Sequence, residues 1–269
     1  MSSKLVPSDP AKVMVIRDMV PGTITTLSAP FWRFGLIKIG GRGTVVRLQN
    51  GTLAVFSPIA LTPEVKTKLS TLGEVKYITA LDIEHHIYLG PWHQAFPNAK
   101  VLGPEGLPEK RKKNGNEDVA FSHIFSKSKP VESVDADFDR EFEWEYVPAH
   151  TNKEIAFHHK PTRTLIQADL LFNLPATEQF SKAGVSATSG ILTKLFGAAM
   201  NTKGNVQKRV IWYGISAGDR LGFAKSVANI DKWDFERIVP CHGDVIESGG
   251  KEVFRKVFAW HLDLAKKQT

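Results

Sequence analysis

The stretch Glu74-Val75-Lys76-Tyr77-Ile78-Thr79-Ala80-Leu81 leads directly into Asp82-Ile83-Glu84-His85-His86. Its first part carries the β-branched and aromatic residues of a short buried strand, so the polar cluster is predicted to lie where that strand ends. Strand ends are where α/β proteins place their chemistry. Adjacent histidines also occur in ordinary polar loops, so the cluster alone leaves a ligand site and a solvated loop both open.

The segments on either side of this stretch predict alternating strands and helices. Asn50-Gly51 between two β-prone runs, 44–48 and 52–56, is a strong hairpin signal. Thr62-Pro63 opens a predicted helix that runs to about Leu72. A short helix around Trp92 and a strand at 101–104 are expected after the cluster.

The remainder of the chain gives further predictions. The charged, glycine-containing segment 105–118 indicates a surface loop. His158 and His159 are expected in a solvent-facing turn of a hairpin. The other predicted elements are strands at 138–147, 154–158, 164–167 and 210–213 and helices at 216–230 and 251–265.

Composition limits the class of protein. With 269 residues, 42% of them hydrophobic, the chain can bury a substantial core, and we expect one domain over 1–269 with a loosely held tail at 1–12. The net charge is +7 and the pI about 9.4. The basic residues are dispersed, and Lys110-Arg111-Lys112-Lys113 is the one run, so the charge does not indicate nucleic-acid binding. That run is either a solvated loop or an attractor of acidic substrates.

The single cysteine, Cys241, excludes an internal disulfide and agrees with a reducing compartment. The N-terminal residues do not resemble a signal peptide, and no window has the eighteen or so apolar residues of a membrane span. We therefore expect a cytoplasmic protein without an integral membrane span. The oligomeric state is not indicated by the sequence.

Residues 174–208 interrupt the alternation of strands and helices. Small and polar residues are frequent there, and the apolar segment 190–200 is compatible with a helix. This helix could belong to a lid over a pocket, lie on a membrane surface, or pack on the outside of the core.

Three further polar residues follow predicted strands: His150, Asp169 and His242. Histidine and aspartate suit zinc, iron or manganese, and a catalytic metal site draws its ligands from separate loops and keeps one position open. Repeated placement at strand ends favours a shared metal site over unrelated polar loops.

The sequence around these residues resembles the metallo-β-lactamase superfamily, in a divergent branch. The matching segments are Ala149-His150-Thr151 with Glu154-Ile155-Ala156-Phe157, then Thr164 to Phe172, and finally Ile238-Val239-Pro240-Cys241-His242-Gly243. The resemblance implies an α/β fold, a four-layer αβ/βα sandwich of two mixed β-sheets flanked by helices, with the metal centre at one edge. It also implies that His150 binds a first metal, that Asp169 bridges two metals and that His242 binds the second.

The opening motif departs from the family pattern H-x-H-x-D-H. With the following helix as anchor, His86 falls on the last histidine and His85 on the aspartate, while Leu81 and Ile83 fall where two histidines are expected. The predicted metal ligands are His85, His86, His150, Asp169 and His242. The resemblance implies one or two Zn²⁺ ions, with Fe or Mn as alternatives, and carboxylates could replace the missing histidines.

The resemblance implies a metal-dependent hydrolase of a small ester, lactone or thioester, acting through a metal-activated water. Asp169, Glu84 and Asp82 are the candidate catalytic carboxylates. Trp92 and Phe172 are candidate substrate-binding residues, and the alternative for each is a place in the core, where large apolar side chains are more common. The alternative is a non-hydrolytic protein on the same scaffold, either an iron-dependent redox enzyme or a binding protein with a decayed metal site. The expected partner is a small-molecule substrate.

Overall fold

The computed structural model describes residues 5–116 and 119–268. The strands are β1 Val15–Val20, β2 Ile24–Ala29, β3 Trp32–Arg33, β4 Ile37–Lys38, β5 Gly41–Arg47, β6 Leu53–Phe56, β7 Val75–Thr79, β8 Lys100–Pro104, β9 His123–Phe125, β10 Phe142–Val147, β11 Glu154–His159, β12 Thr164–Gln167 and β13 Arg237–Pro240. The helices are α1 Pro10–Val13, α2 Pro63–Leu72, α3 Leu89–Ala95, α4 Leu107–Lys113, α5 Ala136–Glu141, α6 Ile191–Ala199, α7 Val206–Val210, a π-helix Ile211–Ile215, α8 Arg220–Ile230, α9 Gly250–Val257 and α10 Ala259–Lys266.

Two mixed sheets form the centre of the molecule. Sheet 1 has the order β1-β2-β5-β6-β7-β8-β9, antiparallel as far as β6 and parallel beyond it. Sheet 2 has the order β10-β11-β12-β13, and its last pair is parallel. The Asn-Gly hairpin predicted from the sequence is confirmed as the β5–β6 pair.

Three apolar layers hold the sheets and helices together. Aromatic side chains including Phe56, Tyr77, Phe138 and Phe157 fill the space between the sheets. A second layer packs α2 and α3 against the outer face of sheet 1. A third packs α8, α9 and α10 against the outer face of sheet 2. Helices, sheet, sheet and helices therefore form the αβ/βα sandwich, and the predicted fold class is confirmed.

A smaller unit lies beside the sandwich. The hairpin β3–β4 packs with α6 over a cluster that includes Ile39, Phe172, Phe180 and Met200. Most of the segment 174–208, interpreted above as a possible lid, belongs to this unit. Its role as a lid stays a prediction.

Several local predictions were wrong. The segment 105–118 contains α4, and Glu117 and Asp118 lie outside the described residues. The predicted strand 138–147 begins as α5, because the carboxylate of Asp135 accepts hydrogen bonds from the N–H groups of Asp137 and Phe138 and so caps a helix. Residues 210–213 are helical, since tertiary packing overrides their β propensity.

Four other expectations also need correction. The helix expected from Ser216 begins at Arg220, with Asp219 as its cap. The closing helix is divided into α9 and α10. His158 and His159 are buried at the end of β11 instead of facing solvent. Of the predicted tail 1–12, residues 1–4 lie outside the described residues and Pro10–Val13 form α1.

Within the described parts of the chain, no helix is both long and apolar enough to cross a bilayer.

Candidate metal centre

The loop after β7 is organised by the buried carboxylate of Asp82. Its Oδ1 accepts hydrogen bonds from the backbone N–H groups of Glu84 and His85, each at 2.7 Å, and from Nδ1 of His85 at 2.8 Å. A carboxylate that bonds to its own backbone two and three residues on folds the chain into a tight turn. The same oxygen therefore shapes the loop and fixes the orientation of the His85 ring.

The turn after β13 presents His242. Nδ1 of His242 donates to the carbonyl of Gly40 at 2.6 Å, and the ring stacks on Phe172 with 4.9 Å between centroids. The fully buried guanidinium of Arg42 donates to the carbonyls of Pro240 and Gly243, at 2.7 and 2.6 Å. Arg42 on β5 of sheet 1 thus stabilises the turn that follows β13 of sheet 2.

Asp169 follows β12 and completes the group. Its Oδ2 accepts a hydrogen bond from Nδ2 of Asn152 at 2.7 Å, and its backbone N–H donates to Oε2 of Glu154 at 2.8 Å. Its Oδ1 lies 3.3 Å from Nε2 of His242 and has no hydrogen-bond partner among the described residues. Ligand atoms of His85, Asp169 and His242 all lie within 4.8 Å of one another.

The two histidine rings face each other through the same kind of nitrogen. Nε2 of His85 lies 3.1 Å from Nε2 of His242. Each Nδ1 contacts an acceptor, a carboxylate for His85 and a carbonyl for His242, so each Nδ1 carries the proton of the neutral ring. Both Nε2 atoms then present lone pairs to each other. A shared cation, either a proton or a metal ion, is needed between them.

Carboxylates lie around the two histidines and change the pKa of His85. Burial alone would lower the pKa of His85, but the negative charges of Asp82 and Asp169 outweigh it and raise that pKa to about 10. Burial opposes ionisation of Asp169 too, yet the positive charge of His85 and the contacts with His242 hold its pKa below the usual range. In the metal-free protein a proton on His85 therefore satisfies the two facing nitrogens.

The donor set fits a metal ion. Two imidazole nitrogens and a carboxylate oxygen converge, and the Nδ1 of each histidine is hydrogen-bonded in the way that orients metal-bound histidines. Buried atoms without hydrogen-bond partners among the described residues include Asp169 Oδ1, Asp82 Oδ2 and His150 Nε2. A proton on His85 leaves Asp169 Oδ1 unsatisfied, whereas an ion would use it.

The remaining predicted ligands lie outside this group of three. His86 is held by Arg111, which donates to its backbone carbonyl at 3.0 Å and lies 3.2 Å from its Nδ1. Burial, with the positive charge of Arg111, lowers the pKa of His86 to about 4. His150 is buried, its Nδ1 accepts a hydrogen bond from the N–H of Asn152, and its Nε2 lies 3.9 Å from Glu154.

Apolar side chains occupy the positions where the family pattern has two more histidines. Leu81 is buried in the core between the sheets, and Ile83 packs against the outer layer of sheet 1. His150 therefore lacks the two histidines that the family pattern places at positions 81 and 83. Among the described residues, one group of three potential ligands converges, at His85, Asp169 and His242.

The candidate catalytic and substrate-binding residues are placed as follows. Asp82 supports His85 from the buried side of the loop, and Glu84, half exposed, forms an ion pair of 2.5 Å with Lys110. Trp92 is a core residue whose indole N–H donates to the carbonyl of Ile59 at 2.7 Å, so it does not line the site. Phe172 is also buried and acts as the stacking support of His242.

Sequence reasoning missed several residues that build the site. Glu154 begins one of the segments that resemble the superfamily and Asn152 lies just before it, but their contacts with Asp169 are visible only in three dimensions. Burial and the charges of Asp82 and Asp169 raise the pKa of Glu154 well above its usual range. Gly40 and Arg42 gave no sequence signal, because their partners lie some two hundred residues further along the chain.

A cavity of about 540 Å³ opens onto the three candidate ligands. Its wall combines apolar side chains, among them Phe31, Phe34 and Ile59, with the cationic side chains of Arg33 and Lys110. Cavities of similar volume elsewhere in the molecule, about 570 and 560 Å³, contain none of the three ligands. The cavity beside His85 is therefore the one in which a small molecule would meet an ion.

A family model described as "Domain of unknown function (DUF4336)" matches residues 34–183, more than half of the chain. The chain belongs to the DUF4336 family. No curated protein matches the sequence of this DUF4336 member.

Solved structures similar to this DUF4336 chain show its fold. The metallo-β-lactamase DIM-1 aligns over 97% of this chain and 100% of its own with a TM-score of 0.61 and 11% identity. A metallo-β-lactamase from Pontibacter korlensis aligns over 92% of this chain and 98% of its own, with a TM-score of 0.57 and 11% identity. A flavoprotein from Thermotoga maritima aligns over 92% of this chain and 61% of its own, with a TM-score of 0.60 and 10% identity. The DUF4336 chain has the metallo-β-lactamase fold.

Proposed function

We propose that this protein is a metal-dependent hydrolase that holds one ion between His85, Asp169 and His242 and cleaves a small ester, lactone or thioester. The observation that carries the proposal is the pair of Nε2 atoms facing each other at 3.1 Å beside an unsatisfied carboxylate oxygen. Two histidines and a carboxylate suit Zn²⁺, and the same donor set also suits iron or manganese. Three protein ligands leave a position for water, as catalytic sites require.

The chain's own groups would support such a reaction. When bound, the ion would lower the pKa of a water from 15.7 to about 7 and polarise a carbonyl oxygen. Asp82 accepts a hydrogen bond from Nδ1 of His85 and so directs Nε2 of that ring towards the ion. Asn152 fixes Asp169 with Oδ1 available to the ion. Arg33 on the cavity wall would attract a substrate with an anionic group, whereas the charge of Lys110 is paired with that of Glu84.

Metal analysis of the purified protein tests the site itself. We expect about one zinc per chain in the wild type and a loss of at least tenfold in His85→Ala and in His242→Ala. His86→Ala is the matched control, since its ring is held by Arg111 and not by the ligand group. His150→Ala tests whether His150 is a fourth ligand. A loss of metal equal to that of His242→Ala would add His150 to the ligands, whereas an unchanged metal content would leave three ligands.

Activity measurements on the same proteins test the reaction. A panel of ester, lactone and thioester substrates should be hydrolysed by the wild type and by His86→Ala and not by His85→Ala or His242→Ala. Iron in place of zinc, with no hydrolysis, would favour the redox alternative. A protein without bound metal would favour the binding-protein alternative and contradict the proposal.

A further inference from the structure

Helix α6 packs through one side only. Thr193 and Met200 are buried and Phe196 joins the apolar cluster under the helix. The opposite side carries Ile191, Leu192 and Leu195, which are 79%, 50% and 64% exposed. A nine-residue helix with three large aliphatic side chains in solvent presents an apolar stripe that nothing in the described structure covers.

The tip of the β3–β4 hairpin adds two more exposed apolar side chains. Phe34 is 74% exposed and Leu36 is 65% exposed, on either side of Gly35. The hairpin is joined directly to α6, because the backbone N–H of Lys38 donates to Oγ1 of Thr193 at 3.1 Å. We call Phe34, Leu36, Ile191, Leu192 and Leu195 together the apolar face.

The two chain segments that supply the apolar face carry charge of one sign. Two acidic residues of other segments, Asp9 and Glu84, line the cavities beside the hairpin tip and are paired with Lys12 and Lys110. The sequence contains no aspartate or glutamate from residue 19 to 63, nor from 179 to 218, the two segments that supply the hairpin and α6. They do contain basic residues, including Arg33 and Lys38 on the hairpin and Lys194 on α6. The net charge of the chain does not reveal this pattern. The basic residues are dispersed along the sequence, and it is the acidic residues that are unevenly placed.

We propose that the apolar face docks this protein on an anionic lipid bilayer. Exposed aliphatic and aromatic side chains, on segments that carry cations and no carboxylates, suit the boundary between anionic headgroups and acyl chains. A second copy of the chain fits the face poorly, because two cationic surfaces would meet. Nucleic acid also fits poorly, because its phosphates leave the aliphatic side chains without a partner.

Co-sedimentation with vesicles tests the docking directly and does not depend on the proposed hydrolase activity. We expect the protein to pellet with vesicles of phosphatidylcholine containing about a third phosphatidylglycerol and to remain in the supernatant with phosphatidylcholine alone. Binding to the anionic vesicles should weaken in about 0.5 M NaCl, where the Debye length is only a few ångströms.

Variants locate the binding on the apolar face. Leu36→Ser, Ile191→Ser and Leu195→Ser combined should reduce vesicle binding at least tenfold, because they remove side chains that would enter the bilayer. Lys194→Gln should reduce it about fivefold, whereas Lys66→Gln on α2, which is also exposed but lies outside the two segments, should not. Phe34 is left unchanged because it also lines the cavity.

Unchanged thermal stability of the triple variant checks that its loss of binding is not a loss of folding. Failure of the wild type to bind anionic vesicles, or equal binding by the triple variant, would overturn the proposal. A wild type that instead forms dimers dispersed by the triple substitution would also overturn it, since the apolar face would then be covered by a second copy.

Discussion

His85 and His242 show what a single residue needs before it can serve as a ligand. Both were predicted from the sequence because they follow β-prone segments. The features that make them suitable, Asp82 behind one ring and Gly40 behind the other, depend on contacts between distant parts of the chain. The sequence pattern therefore identified these two residues as candidate ligands. It did not distinguish them from His86, whose ring nitrogen Nδ1 contacts Arg111.

His159 carries a prediction about stability at the same scale. The sequence indicated a solvent-facing turn residue, but the ring is buried, with Nε2 3.3 Å from Oε2 of Glu141 and Nδ1 2.8 Å from Oγ1 of Thr162. His159→Ala would leave a buried carboxylate without one of its partners and should lower the free energy of unfolding by about 2–3 kcal/mol. Urea denaturation measures this change.

Lys160→Ala provides the control for His159, since Lys160 is the exposed next residue and its loss should cost less than about 0.5 kcal/mol. The metal content of His159→Ala should equal that of the wild type. Equal denaturation midpoints for His159→Ala and the wild type would contradict the prediction.

Secondary-structure elements were predictable where the signal was local. The Asn50-Gly51 hairpin and the Thr62-Pro63 helix start need only adjacent residues, and both are present. The strand predicted at 138–147 was wrong in its first part. Alternating aromatic and acidic residues indicated a strand over the whole segment, whereas Asp135, which precedes it, caps α5. At 210–213 the packing of the surrounding helices decided the conformation, and no local pattern contains that information.

The turn after β13 supports a prediction for Gly243. Its φ is +90°, and a Cβ there would lie 2.2 Å from the carbonyl oxygen of Asn173. Gly243→Ala must therefore shift the turn that holds His242, and we expect a loss of roughly 2–4 kcal/mol of stability with a reduced metal content. Thermal denaturation and metal analysis measure the two effects.

Gly214→Ala is the matched control for Gly243. Gly214 lies in the π-helix, and a Cβ there would have no neighbour within 4 Å. Its stability should stay the same or rise slightly, by at most about 1 kcal/mol, because alanine is the better helix former. If the stability of Gly243→Ala equalled that of Gly214→Ala, the turn at Gly243 would tolerate a side chain and the prediction would be wrong.

At the scale of the whole molecule, the resemblance to a known superfamily supplied the layered sandwich, which local patterns do not specify. The boundaries of a single domain over 1–269 and the cytoplasmic location stay predictions. The wall of the cavity could not be predicted, because it combines the β3–β4 hairpin with loops from both sheets. The net charge of the entire chain also does not show that acidic residues are absent from the two segments that supply the apolar face.

Removal of the proposed ion should destabilise the whole sandwich. An ion that binds only the folded chain, at about a thousand times its Kd, adds about 4 kcal/mol of stability, which corresponds to a Tm higher by roughly 10 °C for a chain of this size. Dialysis against EDTA should therefore lower the Tm by that amount, and added zinc should restore it. In His242→Ala the same treatment should leave the Tm unchanged. An EDTA-treated wild type with an undiminished Tm would argue against a bound ion.

The proposed ligands also come from both halves of the sandwich. His85 follows β7 of sheet 1, whereas Asp169 and His242 follow β12 and β13 of sheet 2. A nascent chain still on the ribosome, or a fragment containing one sheet, lacks part of the coordination set. Metal loading would then be a late event in biogenesis, and the stoichiometry of metal in a preparation would report the fraction of molecules whose two sheets have docked.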